Sequence, residues 1–139
     1  MFATVTPPET EIYTLDLPLQ SQRTLESAKA IGSAFRNTTL TRKIQQLWGD
    51  STTFDFAPYV HSFDLVFVDA NHNYEYVKQD TETAFQLVRP GGIIIWDDYV
   101  WDERYSHCAG VTKCLNEIAA TRPCYQIKNT RLAIHISKD

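Results

Sequence analysis

Two apolar runs of strand length, each closing on aspartate and separated by one helix-length segment, constrain this chain more than anything else in it. The first is Phe63-Asp64-Leu65-Val66-Phe67-Val68, ending in Asp69; the second is Ile93-Ile94-Ile95-Trp96, ending in Asp97-Asp98. A nearly continuous apolar run suits a parallel strand buried on both faces, because crossover helices cover such sheets on each side. Between the runs, Tyr74, Val77, Ala84, Phe85 and Val88 recur at three- and four-residue intervals, with Thr81 among them. Asn73 is placed to cap this helix, and Pro90-Gly91-Gly92 reads as the turn that ends it. Strand, helix, turn, strand is a βαβ unit, whose right-handed crossover lays both strands parallel in one sheet.

The flanks extend this unit. Ile12 to Leu17 reads as a short strand whose last polar residue is Asp16, and Lys43 to Trp48 as another, closed by Gly49-Asp50-Ser51. A loop with a short helix, marked by Leu25, Ala28 and Ile31, lies between them, and Thr52 to Val60 suggests a helical turn. Downstream, Val111, Cys114, Leu115, Ile118 and Ala119 mark one face of a further helix. Tyr125 to Ile127 and Leu132 to Ile136 then flank the turn-rich Lys128-Asn129-Thr130-Arg131 as an antiparallel hairpin. The expected fold is α/β, mostly parallel, with an antiparallel C-terminal hairpin, in a single domain spanning residues 1–139.

Composition narrows the partners. With 139 residues, 43% hydrophobic and 22% charged, the chain holds one ordinary globular domain. A net charge of -4 supplies no basic field for a phosphate backbone, which argues against nucleic acid and for a small-molecule partner. No apolar run reaches the length of a membrane span, and the first twenty residues lack the basic and apolar regions of a signal peptide. Cys108, Cys114 and Cys124, separated by five and nine residues, match neither a zinc knuckle nor a CxxC pair and read as reduced structural thiols. Cytoplasm is the expected compartment.

In open α/β sheets, ligands bind beyond the carboxyl ends of the strands. Four such ends carry acids: Asp16, Asp50, Asp69 and the pair Asp97-Asp98. Any one of them is equally a helix cap or turn former. Asp69 and Asp97-Asp98, however, belong to adjoining strands, and three converging carboxylates suit Mg²⁺ or a similar divalent cation. His72, three residues past Asp69, is a candidate general base toward a substrate hydroxyl, or else a plain helix-capping residue. His61 and His107 read as surface residues and His135 as a structural one. Trp48, Tyr99 and Trp101 are candidates for an aromatic pocket, while Trp96, inside an apolar strand, reads as core.

These motifs, in this order, resemble the latter two thirds of a class I S-adenosylmethionine-dependent methyltransferase, in particular the metal-assisted small-molecule O-methyltransferases. Tyr13-Thr14-Leu15-Asp16 resembles the family's second strand, and the resemblance implies that Asp16 holds the cofactor's ribose hydroxyls. Trp48-Gly49-Asp50-Ser51 is similar to the segment that contacts the adenine, which assigns Asp50 and Ser51 to cofactor binding. Phe63 to His72 (FDLVFVDANH) is similar to the fourth strand with its Asp-x-x-His, and Arg89-Pro90-Gly91-Gly92 with Ile93 to Tyr99 (IIIWDDY) to the turn and fifth strand. The resemblance thus implies a Rossmann-like methyltransferase sheet, a metal on Asp69, Asp97 and Asp98, and His72 as the base.

One departure accompanies it. The family's first strand ends in a glycine-rich loop that lets the backbone approach the cofactor. The five glycines here are Gly32, Gly49, Gly91, Gly92 and Gly110, none of them upstream of the Asp16 strand. The expectation is therefore a domain truncated at its N-terminus. In the family the missing strand sits between the strands matched to Asp16 and Asp69, so its loss exposes two strand edges and an apolar face. Phe2 to Thr6 as a substitute strand, direct pairing of the flanking strands, or a second copy of the chain would each fill the gap; self-association is the favoured expectation. Two functions follow: metal-assisted methyl transfer to a small-molecule hydroxyl, or a catalytically incomplete remnant that serves as a binding or self-association module.

Overall fold

A computed structural model describes residues 2–21 and 24–138. The chain divides into two compact units, Met1–Phe54 and Asp55–Asp139. The first unit pairs β1 (Ile12–Asp16) and β2 (Ile44–Trp48) in parallel, with Asp16 opposite Trp48. Helix α2 (Leu25–Ala30) forms where the spacing predicts one, although the side chains of Leu25 and Ala28 lie outside the described residues. Phe2–Val5 is a four-residue helix, α1, and not a substitute strand. The Lys43 ammonium explains it: Nζ donates to the carbonyls of Ala3, Thr6 and Pro7 at 3.3, 3.1 and 2.8 Å and to Thr6 Oγ1 at 2.9 Å. A cation at a helix C-terminus satisfies carbonyls that have no intrahelical partner.

The second unit holds a four-stranded sheet in the order β3-β4-β6-β5, built from Phe63–Val68, Val88–Trp96, Ala133–Ile136 and Tyr125–Gln126. Strands β3 and β4 are parallel and joined by α3 (Tyr74–Leu87), as a βαβ unit requires; β6 runs antiparallel to both β4 and β5. Helix α4 (Ala109–Ala119) packs beside α3. Val77 and Ala84 of α3 and Val111, Cys114 and Leu115 of α4 are buried together with Ile94, Trp96 and Ala133 of the sheet, against Val66 and Val68. Among the described residues, β1 pairs with β2 in one sheet and β3 with β4 in the other.

Three local expectations are corrected. Pro90-Gly91-Gly92 is not a turn, since β4 runs through it. Phe63 pairs with Val88 and Leu65 with Ile93, so β4 places four residues opposite the single Asp64. The surplus bulges outward at Gly91, whose φ of +75° is closed to most side chains. Asn73 precedes α3 but makes no side-chain cap; its own N–H donates to Asn71 Oδ1 at 2.8 Å. Finally, β3 is buried on one face only. Leu65 and Phe67 are 36% and 40% exposed, on the face opposite Val66 and Val68. In register beside them lie Ile93, Ile95, Ile134, Ile136 and Tyr125, which makes one apolar face of this sheet continuous.

Trp96 is core, as its place in the strand implies, and its indole N–H donates to the buried Thr81 hydroxyl at 3.0 Å. His135 is structural, with Nδ1 2.9 Å from the Pro123 carbonyl. No described helix is long and apolar enough to cross a membrane. Replacing Thr81 by Val leaves a buried indole N–H without a partner, so Thr81→Val is expected to lower unfolding stability by about 1–3 kcal/mol, as read by chemical denaturation.

Candidate functional site

The first unit places its predicted residues at the carboxyl ends of β1 and β2. Asp16 Oδ2 accepts from Gln46 Nε2 at 2.9 Å and from Thr14 Oγ1 at 3.3 Å, which fixes its rotamer. The backbone N–H of Gly49 donates to the Asp16 carbonyl at 2.9 Å, so the Gly49-Asp50-Ser51 turn begins directly beside it. Asp50 Oδ1 accepts from the Thr52 hydroxyl and N–H at 2.7 and 2.9 Å. These bonds, the hydroxyl's first, hold its pKa below the usual carboxylate value. Asp50 thus shapes the turn that carries Ser51.

The second unit gathers Asp69, His72 and Asp98, one donor atom from each lying within 4.8 Å of the others. Adjacent parallel strands bring this about. The N–H of Asp97 donates to the carbonyl of Val68 at 3.1 Å, so the loops leaving β3 and β4 start side by side. Asp98 adopts φ +60°, a left-handed conformation that a short polar side chain tolerates, and it is 6% exposed. Its Oδ2 lies 2.8 Å from His72 Nε2. The third predicted metal ligand, Asp97, is not gathered with this trio, because its Oδ1 accepts from the Asp98 N–H at 2.7 Å.

Three residues that the sequence pattern does not single out as site residues complete the cluster. Arg131, from the turn between β5 and β6, sets Nη1 2.7 Å from Asp98 Oδ1 and Nη2 4.0 Å from Asp97 Oδ1. The His107 ring centroid is 5.6 Å from that of His72, and the buried Cys108 joins these two imidazoles in a second group of close donor atoms. Burial, and then the Asp98 charge, push the Cys108 thiol above its ordinary pKa, which suits a structural thiol better than a nucleophile. The one available signal was place in the chain: His107 and Cys108 follow Asp98 in the same loop, and Arg131 ends a turn between strands.

Helix α4 holds these pieces together. A Cβ at Gly110 would lie 2.1 Å from the His72 carbonyl oxygen and 2.7 Å from the Tyr74 nitrogen, so only glycine lets the helix start press on the His72 loop. Thr112 clamps the other loop, its hydroxyl donating to the Val100 carbonyl at 2.9 Å. Beside the acids, between Val100–Ser106 and α4, lies an open depression of about 730 Å³ lined by Trp101, Tyr105, Thr112 and Asn116. Asp69, Asp97 and Asp98 do not line it, although Asp102, Glu103 and Glu117 do; the link is Tyr105, whose ring centroid is 5.6 Å from the Arg131 guanidinium carbon.

Residues 2–99 match the family model described as a methyltransferase domain. No curated protein matches the chain. Among solved structures, the chain is similar to the O-methyltransferase TomG from Streptomyces achromogenes, solved in complex with SAM, at 20% identity and a TM-score of 0.60 over 99% of this chain and 66% of that one. It is also similar to an O-methyltransferase from Bacillus cereus in complex with SAH, at 18% identity and a TM-score of 0.60 over 91% of this chain and 63% of that one. The SAH-bound Podospora anserina methyltransferase PaMTH1 resembles it at 16% identity and a TM-score of 0.56, over 93% and 61%. The chain therefore spans less than two thirds of the length of these proteins. With the family model covering most of the sequence and the shared fold covering nearly all of it, the chain belongs to the methyltransferase domain family and has the Rossmann-like fold of class I methyltransferases.

Proposed function

We propose that this chain binds S-adenosylmethionine and transfers its methyl group to a hydroxyl of a small molecule, assisted by a divalent cation. The observation that carries the reading is the grouping of Asp69, His72 and Asp98 beyond adjacent strand ends in a chain of the methyltransferase domain family. Asp16 is the residue for the ribose hydroxyls and Asp50-Ser51 the segment for the adenine. The acceptor belongs in the depression beside Trp101 and Tyr105, whose rings suit an apolar body with a hydroxyl directed toward the acids. The reaction is placed in the cytoplasm, in keeping with three free thiols, with neither nucleic acid nor membrane as partner.

His72 is the proton acceptor. With its Nε2 proton directed to Asp98, the neutral imidazole keeps Nδ1 as the basic nitrogen, and the carboxylate stabilises the cation that forms. Removal of the acceptor hydroxyl's proton at Nδ1 would leave the acceptor oxygen as the nucleophile, which is the part of the reaction that falls to this chain's own residues. What the cofactor supplies when bound is a methyl group activated on a sulfonium.

The donor set fits a divalent cation. Partial desolvation first, then the charges of Asp97 and Asp98, push the Asp69 carboxyl above its ordinary pKa although the residue stays open to solvent, and it is those two neighbouring charges that a cation would offset. Asp69 and Asp98 would hold such an ion, joined by Asp97 on rotation away from the backbone, and its charge would lower the pKa of an acceptor hydroxyl.

A second reading, a methyltransferase-fold module that self-associates, is favoured by one observation. The apolar sheet face keeps Leu65, Phe67, Ile136 and Tyr125 exposed at 36%, 40%, 57% and 61%, and β3 stands at the sheet's edge. A second copy docked through these residues would cover both.

Four outcomes test these readings. In calorimetry, S-adenosylhomocysteine is expected to bind, with Asp16→Ala weakening it about tenfold or more, a loss of ~1.4 kcal/mol. His72→Gln should keep that affinity while kcat falls by roughly 10²–10⁴; a folded chain that binds no S-adenosylhomocysteine leaves the second reading standing. At neutral pH the metal-free Asp69→Asn variant should melt above the wild type. That gap closes as pH falls through the raised pKa, because the wild-type carboxyl then takes up its proton in the folded state. Light scattering should give twice the 16.0 kDa chain mass, reverting to 16.0 kDa in Leu65→Lys/Ile136→Lys; a wild-type monomer at high concentration removes the second reading.

A further inference from the structure

The carboxylate at the centre of the acid cluster already has a cation. Asp98 Oδ2 is engaged by His72 Nε2 at 2.8 Å, and Oδ1 faces Arg131 Nη1 at 2.7 Å. The guanidinium meets Oδ1 as an ion pair without hydrogen-bond geometry, so this buried oxygen keeps an unsatisfied lone pair. The Asp98 side chain is 9% exposed, whereas that of Arg131 is 46% exposed, with solvent at its back. Its backbone is pinned independently, since the Arg131 carbonyl accepts from the Tyr99 N–H at 2.8 Å. The side chain can therefore leave Asp98 without moving the turn that carries it, and the nearby Tyr105 ring offers the guanidinium an aromatic face.

We propose that Arg131 is a displaceable internal counter-ion of this site, so that its guanidinium and a divalent cation occupy the Asp98 carboxylate in turn and not together. The proposal rests on the metal reading above and deepens it. A buried carboxylate left alone is costly, which is why the resting site recruits a charge from the neighbouring turn. A divalent ion bonded to an Asp98 oxygen at roughly 2.0–2.6 Å would sit against that charge, and the two positive centres repel. Swinging out is open to Arg131 because its stem is long and half exposed. Metal affinity is thus set partly by a residue that is not a ligand, and loading the site frees a guanidinium at the rim of the acceptor depression.

The test uses Mn²⁺ alone, titrated into the 139-residue chain by calorimetry and followed by the metal's electron paramagnetic resonance. Arg131→Gln, which keeps a polar side chain without the charge, is expected to bind Mn²⁺ about tenfold or more tightly than the wild type. Its melting temperature should also rise more on Mn²⁺ addition, because the variant starts with an uncompensated Asp98. Arg131→Lys keeps the charge and should retain wild-type affinity, which separates competition by charge from loosening of the turn. Equal or weaker Mn²⁺ binding by Arg131→Gln, or tightening by Arg131→Lys to the same degree, overturns the exclusion while the metal site stands. Absence of Mn²⁺ binding in all three proteins overturns the exclusion and the metal reading together. S-adenosylhomocysteine titration of the same samples reports separately on whether the cofactor reading survives.

Discussion

The pairing of Leu65–Val68 with Ile93–Trp96 is the constraint on which the second unit depends. It is parallel, so both strands deliver their carboxyl ends to one edge, and the Asp97 to Val68 hydrogen bond fixes how far each projects. The same register turns Ile94 and Trp96 onto α3 and α4. A slip of one residue would send Trp96 and its bond to Thr81 to the other face and separate the two acidic loops. Core and candidate site are thus consequences of a single register, with hydrophobic burial on one side holding charges in place at the end.

Much of this arrangement was legible in the sequence because it rests on local pattern. The apolar runs, the three- and four-residue spacing from Tyr74 to Phe85, and the hairpin around Lys128 to Arg131 each fall where elements form. What the pattern could not give was sidedness. Leucine, phenylalanine and isoleucine satisfy a two-faced strand and a one-faced strand equally, and only tertiary packing shows that Leu65 and Ile136 stay exposed. Pro90-Gly91-Gly92 carries turn chemistry wherever it occurs, yet backbone bonds from Gly91 and Gly92 to Ser137, with β3 pairing on either side, draw it into a bulged strand. The acids could be found because strand ends are predictable. Arg131, His107 and Cys108 could not, since their approach depends on contacts such as Gly110 against the His72 carbonyl and Tyr99 against Arg131.

The acids also show how a protein divides a charge problem. Three carboxylates near one point repel, and each is settled differently. Asp97 turns to its own backbone, Asp98 accepts a guanidinium and an imidazole contact in a left-handed conformation, and Asp69 stays exposed to solvent. The strained and buried member is the one with the most partners, in keeping with the way local strain persists only where its surroundings over-determine it.

The junction between α3 and β4 has a consequence of its own. Leu87 ends the helix and Val88 begins the strand with no residue between them. The preceding segment is tied to this junction, with His61 and Ser62 donating their N–H groups to the Gln86 and Leu87 carbonyls. The joint between Leu87 and Val88 is therefore fixed from both sides, and the surplus residues opposite Asp64 are taken up beyond it, at Gly91. At the opposite end, the segment between β4 and α4 runs past Trp101 to Ser106 outside the core cluster, and a change of length there leaves that cluster untouched. The fold is therefore rigid where descent would find nothing to improve and pliable where a new acceptor would have to be met, so that diversification over evolutionary time is channelled to one rim of the sheet.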